Sequence, residues 1–262
     1  IDIGNRLELF IDSHLIAETT GDVQQQLMRP EPKEVVFVAD ESWEGNPSGY
    51  YPFFQDGDAY RMIYRGWQHD SQKKAAHKEI TCYAESNDGI HWTKPDLGLF
   101  EWNGSKQNNI VWLGPGSHNF TAFRDDNPAT PAESRYKAFG GGRGGLLPFQ
   151  SPDCKHWELI QDKPVITHGA FDSQNLAFWD SVRGRYVAYF REMRGPNDEI
   201  RPTGPQLGLD DKGPARDVMT CTSTDFLNWT EPKWLQYPGA PREQIYLNQI
   251  RPYYRAPHIF VG

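Results

Sequence analysis

Apolar and polar positions alternate with the period of a β-strand through most of this chain, and a helical period is nowhere sustained. Phe54-Gln-Asp56-Gly-Asp-Ala-Tyr60-Arg-Met-Ile-Tyr64 reads as strand, tight turn, strand, because Asp-Gly between two alternating runs is a hairpin signal. Phe178-Trp-Asp180-Ser-Val-Arg-Gly-Arg-Tyr186-Val-Ala-Tyr189 reads the same way. Phe123-Arg-Asp125 opens another copy, with a longer Pro-containing loop before Tyr136-Lys-Ala-Phe139. Each hairpin is followed by a further apolar run, at 80–84, 145–149 and 218–222.

A second pattern keeps step with the first. Ser86-Asn-Asp88-Gly-Ile-His-Trp92 recurs as Ser151-Pro-Asp153-Cys-Lys-His-Trp157 and as Ser223-Thr-Asp225-Phe-Leu-Asn-Trp229, so the tryptophans stand 65 and 72 residues apart. Ser and Asp side chains cap the N–H groups of a tight turn, and the Trp returns to the sheets as an apolar anchor. A fourth strand follows each Trp. Units of four antiparallel strands repeated along a chain describe a β-propeller; a β-sandwich with accidental echoes is the alternative. The expected fold is all-β, one propeller domain over 1–262, with blades near 43–112, 113–166 and 167–238 and a partial blade at 239–262. The last blade offers strands at 244–253 and 255–262, and residues 6–12 offer a strand that closes the ring. Three full blades and part of a fourth leave sheet edges open, so further chain or a partner is expected to complete the ring.

Composition narrows the function. The 262 residues carry a formal net charge of −8, which argues against nucleic acid and weakly against polyanionic substrates. No apolar run approaches the roughly 18 residues of a membrane helix, so no membrane partner is expected. Aromatic residues make up 13% of the chain, too many for bulk disorder. Three cysteines are too few for a disulfide framework at this size. No His/Cys spacing marks a structural zinc; no cofactor is expected, a structural or channel cation being the one addition the fold admits.

In a propeller the innermost strand of each blade lines the axis, and side chains at the starts of those strands converge. Four such stretches are rich in carboxylates, amides and aromatic rings: Trp43-Glu44-Gly-Asn46-Pro-Ser-Gly-Tyr50, Ser117-His118-Asn119, Phe171-Asp172-Ser-Gln174-Asn175 and Glu243-Gln-Ile-Tyr246-Leu-Asn248. Buried polar groups need partners or a ligand. Amides and carboxylates bond sugar hydroxyls, and flat rings stack on sugar C–H faces. Glu44, Asp172 and Glu243 come from three blades and are expected to share one pocket. Asp172 or Glu243 is the expected general acid, and Glu44 the base or nucleophile. Asn46, His118, Asn119, Gln174, Asn175 and Asn248 would hold hydroxyls; Trp43, Tyr50 and Tyr246 would supply stacking faces. His258 is a further candidate contact.

These features resemble the five-bladed propeller glycoside hydrolases, the invertase/levansucrase and arabinanase/β-xylosidase families (glycoside hydrolase families 32, 68 and 43). Trp43-Glu-Gly-Asn46-Pro47-Ser-Gly49 is similar to the invertase-type Trp-x-Asn-Asp-Pro-Asn-Gly segment, with Asn46 where that segment has its nucleophile. Phe123-Arg124-Asp125 resembles their Arg-Asp-Pro segment, and Phe171-Asp172-Ser173 falls where their acid segment falls. The resemblance implies a carbohydrate substrate, an extracellular or periplasmic location, and a substrate-binding Asp125. The repeat register instead puts Asp125 in a hairpin turn equivalent to Asp56 and Asp180.

Overall fold

The computed structural model describes residues 2–201, 214–241 and 243–262. The first sheet holds β1 (Phe53–Asp56), β2 (Ala59–Gly66), β3 (Ile80–Ser86) and β4 (Trp92–Thr93) in that order, with β5 (Ile110–Trp112) also on β3. β4 pairs with Glu85 and Ser86, and β5 pairs with Thr81 and Cys82, so the two short strands divide the outer position. The second sheet is β6 (His118–Arg124), β7 (Tyr136–Gly142), β8 (Gly145–Ser151) and β9 (Glu158–Leu159). The third is β10 (Leu176–Asp180), β11 (Arg185–Arg194), β12 (Ala215–Ser223) and β13 (Lys233–Trp234). β14 (Arg251–Tyr253) and β15 (Ala256–Val261) pair as a fourth, two-stranded sheet. Every pairing is antiparallel between neighbours. The fold is a β-propeller.

The three Ser-x-Asp turns have one geometry. Each Ser Oγ accepts the N–H of the fourth residue at 2.9 Å, and each Asp Oδ1 accepts the N–H groups of the fifth and sixth. The Trp indole N–H returns to the carbonyl of the fourth residue. That fourth residue lies in the left-handed region in all three copies: Gly89 at φ 75°, Cys154 at 67° and Phe226 at 69°. The sixth residue, His91, His156 or Asn228, reaches the second Asp oxygen at 2.6–2.7 Å.

Apolar layers between blades form the core. Ile63, Tyr83 and Val111 of blade one meet Phe120, Ala122 and Phe149 of blade two. Phe123, Phe139 and Leu146 meet Tyr186, Phe190 and Phe226 of blade three. Leu176, Phe178 and Tyr189 carry Phe260 of β15 and Ile250, just ahead of β14. The other face of blade one, around Met62 and Tyr64, is covered by Phe37, Trp43 and Trp102.

Two expectations about strands change. Residues 6–12 form no strand, and Phe10 and Ile11 are exposed. Among the described residues no sheet edge takes up this segment's backbone; its Glu8 instead meets His258 of β15 at 3.1 Å. The strand expected over 244–253 is regular only at Arg251–Tyr253, because Gln244 and Ile245 are bonded to the backbone of Pro214 and Arg216 at the start of β12.

Candidate functional site

The starts of the four inner strands meet at one mouth. The Tyr50 hydroxyl, ahead of β1, lies 3.3 Å from the carbonyl oxygen of Asp172, ahead of β10, and 3.4 Å from the Tyr246 hydroxyl, ahead of β14. Blade two joins through Arg65, which donates from Nη1 to Asn119 Oδ1 at 3.0 Å and from Nη2 to the Pro47 carbonyl at 2.9 Å. Asn119 lies 3.1 Å from His118 Nε2, and His118 Nδ1 lies 2.7 Å from Glu79. Gln174 of blade three is bonded to Gln249, two residues ahead of β14. Tyr50, Asn119 and Gln249 lie in the left-handed region, at φ 52°, 51° and 50°. Such backbone is costly for Tyr and Gln and collects at ligand sites; here it sits where three inner strands begin.

Arginines dominate the electrostatics. Arg65 lies over the Tyr50 ring at 4.9 Å and the Trp67 ring at 5.1 Å. Arg191 lies over the Tyr246 ring at 5.0 Å and Arg216 over the same ring at 5.3 Å. Arg191 is buried, and its Nη2 is paired with the exposed carboxylate of Asp172. Burial pushes the Tyr50 hydroxyl up to about 12, helped by its contact with Tyr246. The same contact, with Arg191 and Arg216, holds the Tyr246 hydroxyl below its usual value. Beside Arg191, Glu192 is buried, and burial raises its carboxyl despite one bond from the Met193 N–H at 2.7 Å. Two clefts open beside the mouth. One of about 700 Å³ is lined by Trp67, His77, Glu79, Ser117 and His118. The other, about 430 Å³, is lined by His118, Gly141, Thr167, Phe171 and Asp172.

The mouth thus gathers Tyr50, His118, Asn119, Asp172, Gln174 and Tyr246, with Asn175 buried beside them. The Asn175 amide donates to the carbonyls of Phe171 and Ser173. Glu243 is exposed on the segment leading to Tyr246. Other expected site residues lie elsewhere. Glu44 is buried on the face of blade one turned away from blade two, bonded by the Tyr64 hydroxyl, by Lys94 at 2.8 Å and by the Glu41 N–H at 2.9 Å. It does not share a pocket with Asp172, because the core of blade one takes its carboxylate. Trp43 packs on that face and donates to Asn109 at 2.8 Å. Asn46 brackets the backbone of His69, and Asn248 caps the N–H of Ile250. His258 faces Glu8. Asp125 follows β6 at the end opposite His118, where Lys137, Tyr186 and Thr130 hold its carboxylate. The hairpin position given by the repeat register is where it lies.

Arg65, Glu79, Arg191, Glu192 and Arg216 were not among the expected site residues. The repeat held the signal for two of them. Tyr60, Tyr136 and Tyr186 take the same register against Gln55, Arg124 and Trp179, so the fifth residue onward is Arg65, Gly141 and Arg191. Two blades carry arginine at one structural position, and the glycine of the second blade leaves room for the clefts.

No family model matches the chain, and no curated protein matches its sequence. Solved structures are similar to it in fold. A glycosyl hydrolase from Bacteroides ovatus shares 15% identity over 74% of this chain and 54% of its own, with a TM-score of 0.47. A β-1,2-mannobiose phosphorylase from Listeria innocua shares 12% over 72% and 59%, with a TM-score of 0.40. An N-acetylgalactosamine deacetylase from F. plautii, in complex with blood group B trisaccharide, shares 12% over 70% and 51%, with a TM-score of 0.43. The likeness is one of fold. The chain spans a little over half the length of these structures.

Proposed function

We propose that the chain is a saccharide-processing propeller that cleaves a glycosidic bond at the mouth where its inner strands begin. The observation that carries this reading is the meeting of Tyr50, Asp172 and Tyr246 from three blades, with His118, Asn119 and Arg65 beside them. Hydroxyls, amides and a carboxylate face the same space as two tyrosine rings, a set suited to sugar hydroxyls and C–H faces. Glycoside hydrolysis needs two carboxyl groups. Asp172 is the accessible one. Glu192, the residue after Arg191 in β11, is the proposed partner; burial shifts its carboxyl upward, the direction a general acid needs. Glu243, exposed beyond Gln244, is the second candidate for that role. A saccharide outside the cell or in the periplasm fits this reading, and nucleic acid does not.

The test is turnover of a panel of pyranosides and furanosides by the wild type and by D172N, E192Q, E243Q and E44Q. D172N is expected to lower turnover by about 10²–10⁴ while sugar still binds, as is E192Q. E44Q is expected to reduce stability with turnover kept in the folded fraction. Wild-type turnover by D172N overturns the catalytic assignment. The burial of Glu44 favours a second reading, saccharide binding without cleavage, because one of the three expected carboxylates is committed to the core. Tight binding with no turnover by the wild type would establish it.

A further inference from the structure

We propose that the saccharide held at this mouth carries an anionic oxygen group, a uronate carboxylate or a sulfate ester, and that Arg191, Arg65 and Arg216 receive it. The proposal rests on the reading that the mouth is a saccharide site, and it names the substrate class. Arg191 is 4% exposed, yet its Nε and Nη1 have no hydrogen-bond partner; its Nη2 is paired with Asp172, and the guanidinium also meets the Tyr246 hydroxyl. Buried donors without partners are costly, more so on a charged group. The Arg65 Nε and the Asn175 Oδ1, both at this mouth, are also buried without a partner. Both two-pronged forks of a guanidinium use Nη2, which Asp172 holds, so Nε and Nη1 are each left to donate a single charge-assisted bond to an anionic oxygen.

The charges around the Tyr50–Tyr246 pair are unequal. Three guanidinium groups approach it: Arg65 on Tyr50, and Arg191 and Arg216 on Tyr246. Two carboxylates answer them. Asp172 is on Arg191, and Glu79 lies 3.8 Å from Arg65 but is nearer His118, at 2.7 Å. Among the described residues no carboxylate is ion-paired with Arg216. Glu192, the next acid along, favours its neutral form because of burial. A single negative charge on the ligand balances the set. The chain's overall charge of −8 points the other way, but short-range pairing inside a partly desolvated mouth outweighs distant surface charge screened by salt.

Calorimetric titration of the full chain with glucuronate, galacturonate, glucose, galactose, galactose 6-sulfate and inorganic phosphate tests this. The acidic sugars are expected to bind about tenfold to a hundredfold more tightly than their neutral parents. The advantage is expected to shrink with added salt, to fall in R216Q and R65Q, and to be partly kept in R191K but not in R191Q. R216Q and R65Q sit at less buried positions and keep the test valid if R191Q does not fold. Equal affinity for acidic and neutral sugars overturns the acidic substrate class and leaves the saccharide site standing. Phosphate binding without any sugar binding overturns both, as does the absence of all binding.

Discussion

At the scale of single residues, the repeated turn shows how three side chains fix a loop. In blade two the Asp153 carboxylate takes the N–H groups of Lys155 and His156 and the His156 imidazole. Burial pushes that carboxyl up, but these bonds outweigh it and hold it at about 2, against an ordinary 3.8. Asp225 in blade three is held at about 2 in the same way. A carboxyl held low favours the folded state above its ordinary value, and this contribution is lost as pH falls from about 4 towards 2. D153A is therefore expected to lower stability near neutral pH by about 0.5–2 kcal/mol, the range for losing a capping side chain. Urea unfolding at several pH values should show a shallower loss between pH 4 and 2 than in the wild type. An unchanged acid slope would mean the turn carboxylate does not contribute. Ser, Asp and Trp were legible in the sequence because their roles recur with fixed spacing. The sixth position escaped notice because His and Asn do one job with different side chains.

At the scale of elements, the hairpin aspartates join blade to blade. Asp56, at the end of β1, accepts the hydroxyl of Tyr136 in blade two at 2.5 Å, and Asp125 accepts that of Tyr186 in blade three at 2.7 Å. In blade three Asp180 turns instead to Arg183 of its own loop, at 3.0 Å. Each inner hairpin of the first two blades is thus tied to the second strand of the next. Asp125 also pairs with the buried Lys137, and D125A leaves that ammonium without its carboxylate. The expected cost is about 3–5 kcal/mol, read as a shift of the denaturation midpoint, with sugar affinity unchanged in the folded protein. A variant of normal stability that no longer binds sugar would return Asp125 to the substrate. Strand periodicity and turn chemistry made these hairpins readable in advance. A resemblance of three residues to a sugar-binding segment was weaker, because Phe-x-Asp here recurs in every full blade for a structural reason.

At the scale of the whole molecule, the sequence carried the blades but only part of the mouth. Alternation and the repeat located the three full sheets, since local hydrogen bonding and inter-blade packing follow from them. The positions of Glu44 and of the arginines depend on which face of a strand meets which neighbour, a long-range matter that local pattern leaves open. Glu44 stands one residue after Trp43 in a polar stretch, yet Tyr64 and Lys94 draw it into the core. Arg191 and Glu192 interrupt an apolar strand, and that interruption was the available sign of a site. The claim that the saccharide site is the mouth at the starts of the inner strands is tested most directly by a crystal structure of the chain with a saccharide from the binding panel. The sugar is expected against Tyr246 and Tyr50, within hydrogen-bond reach of Asp172 and Asn119. A sugar seated instead in the cleft at the hairpin ends, among Phe54, Phe178, Trp179 and Tyr253, would contradict the account.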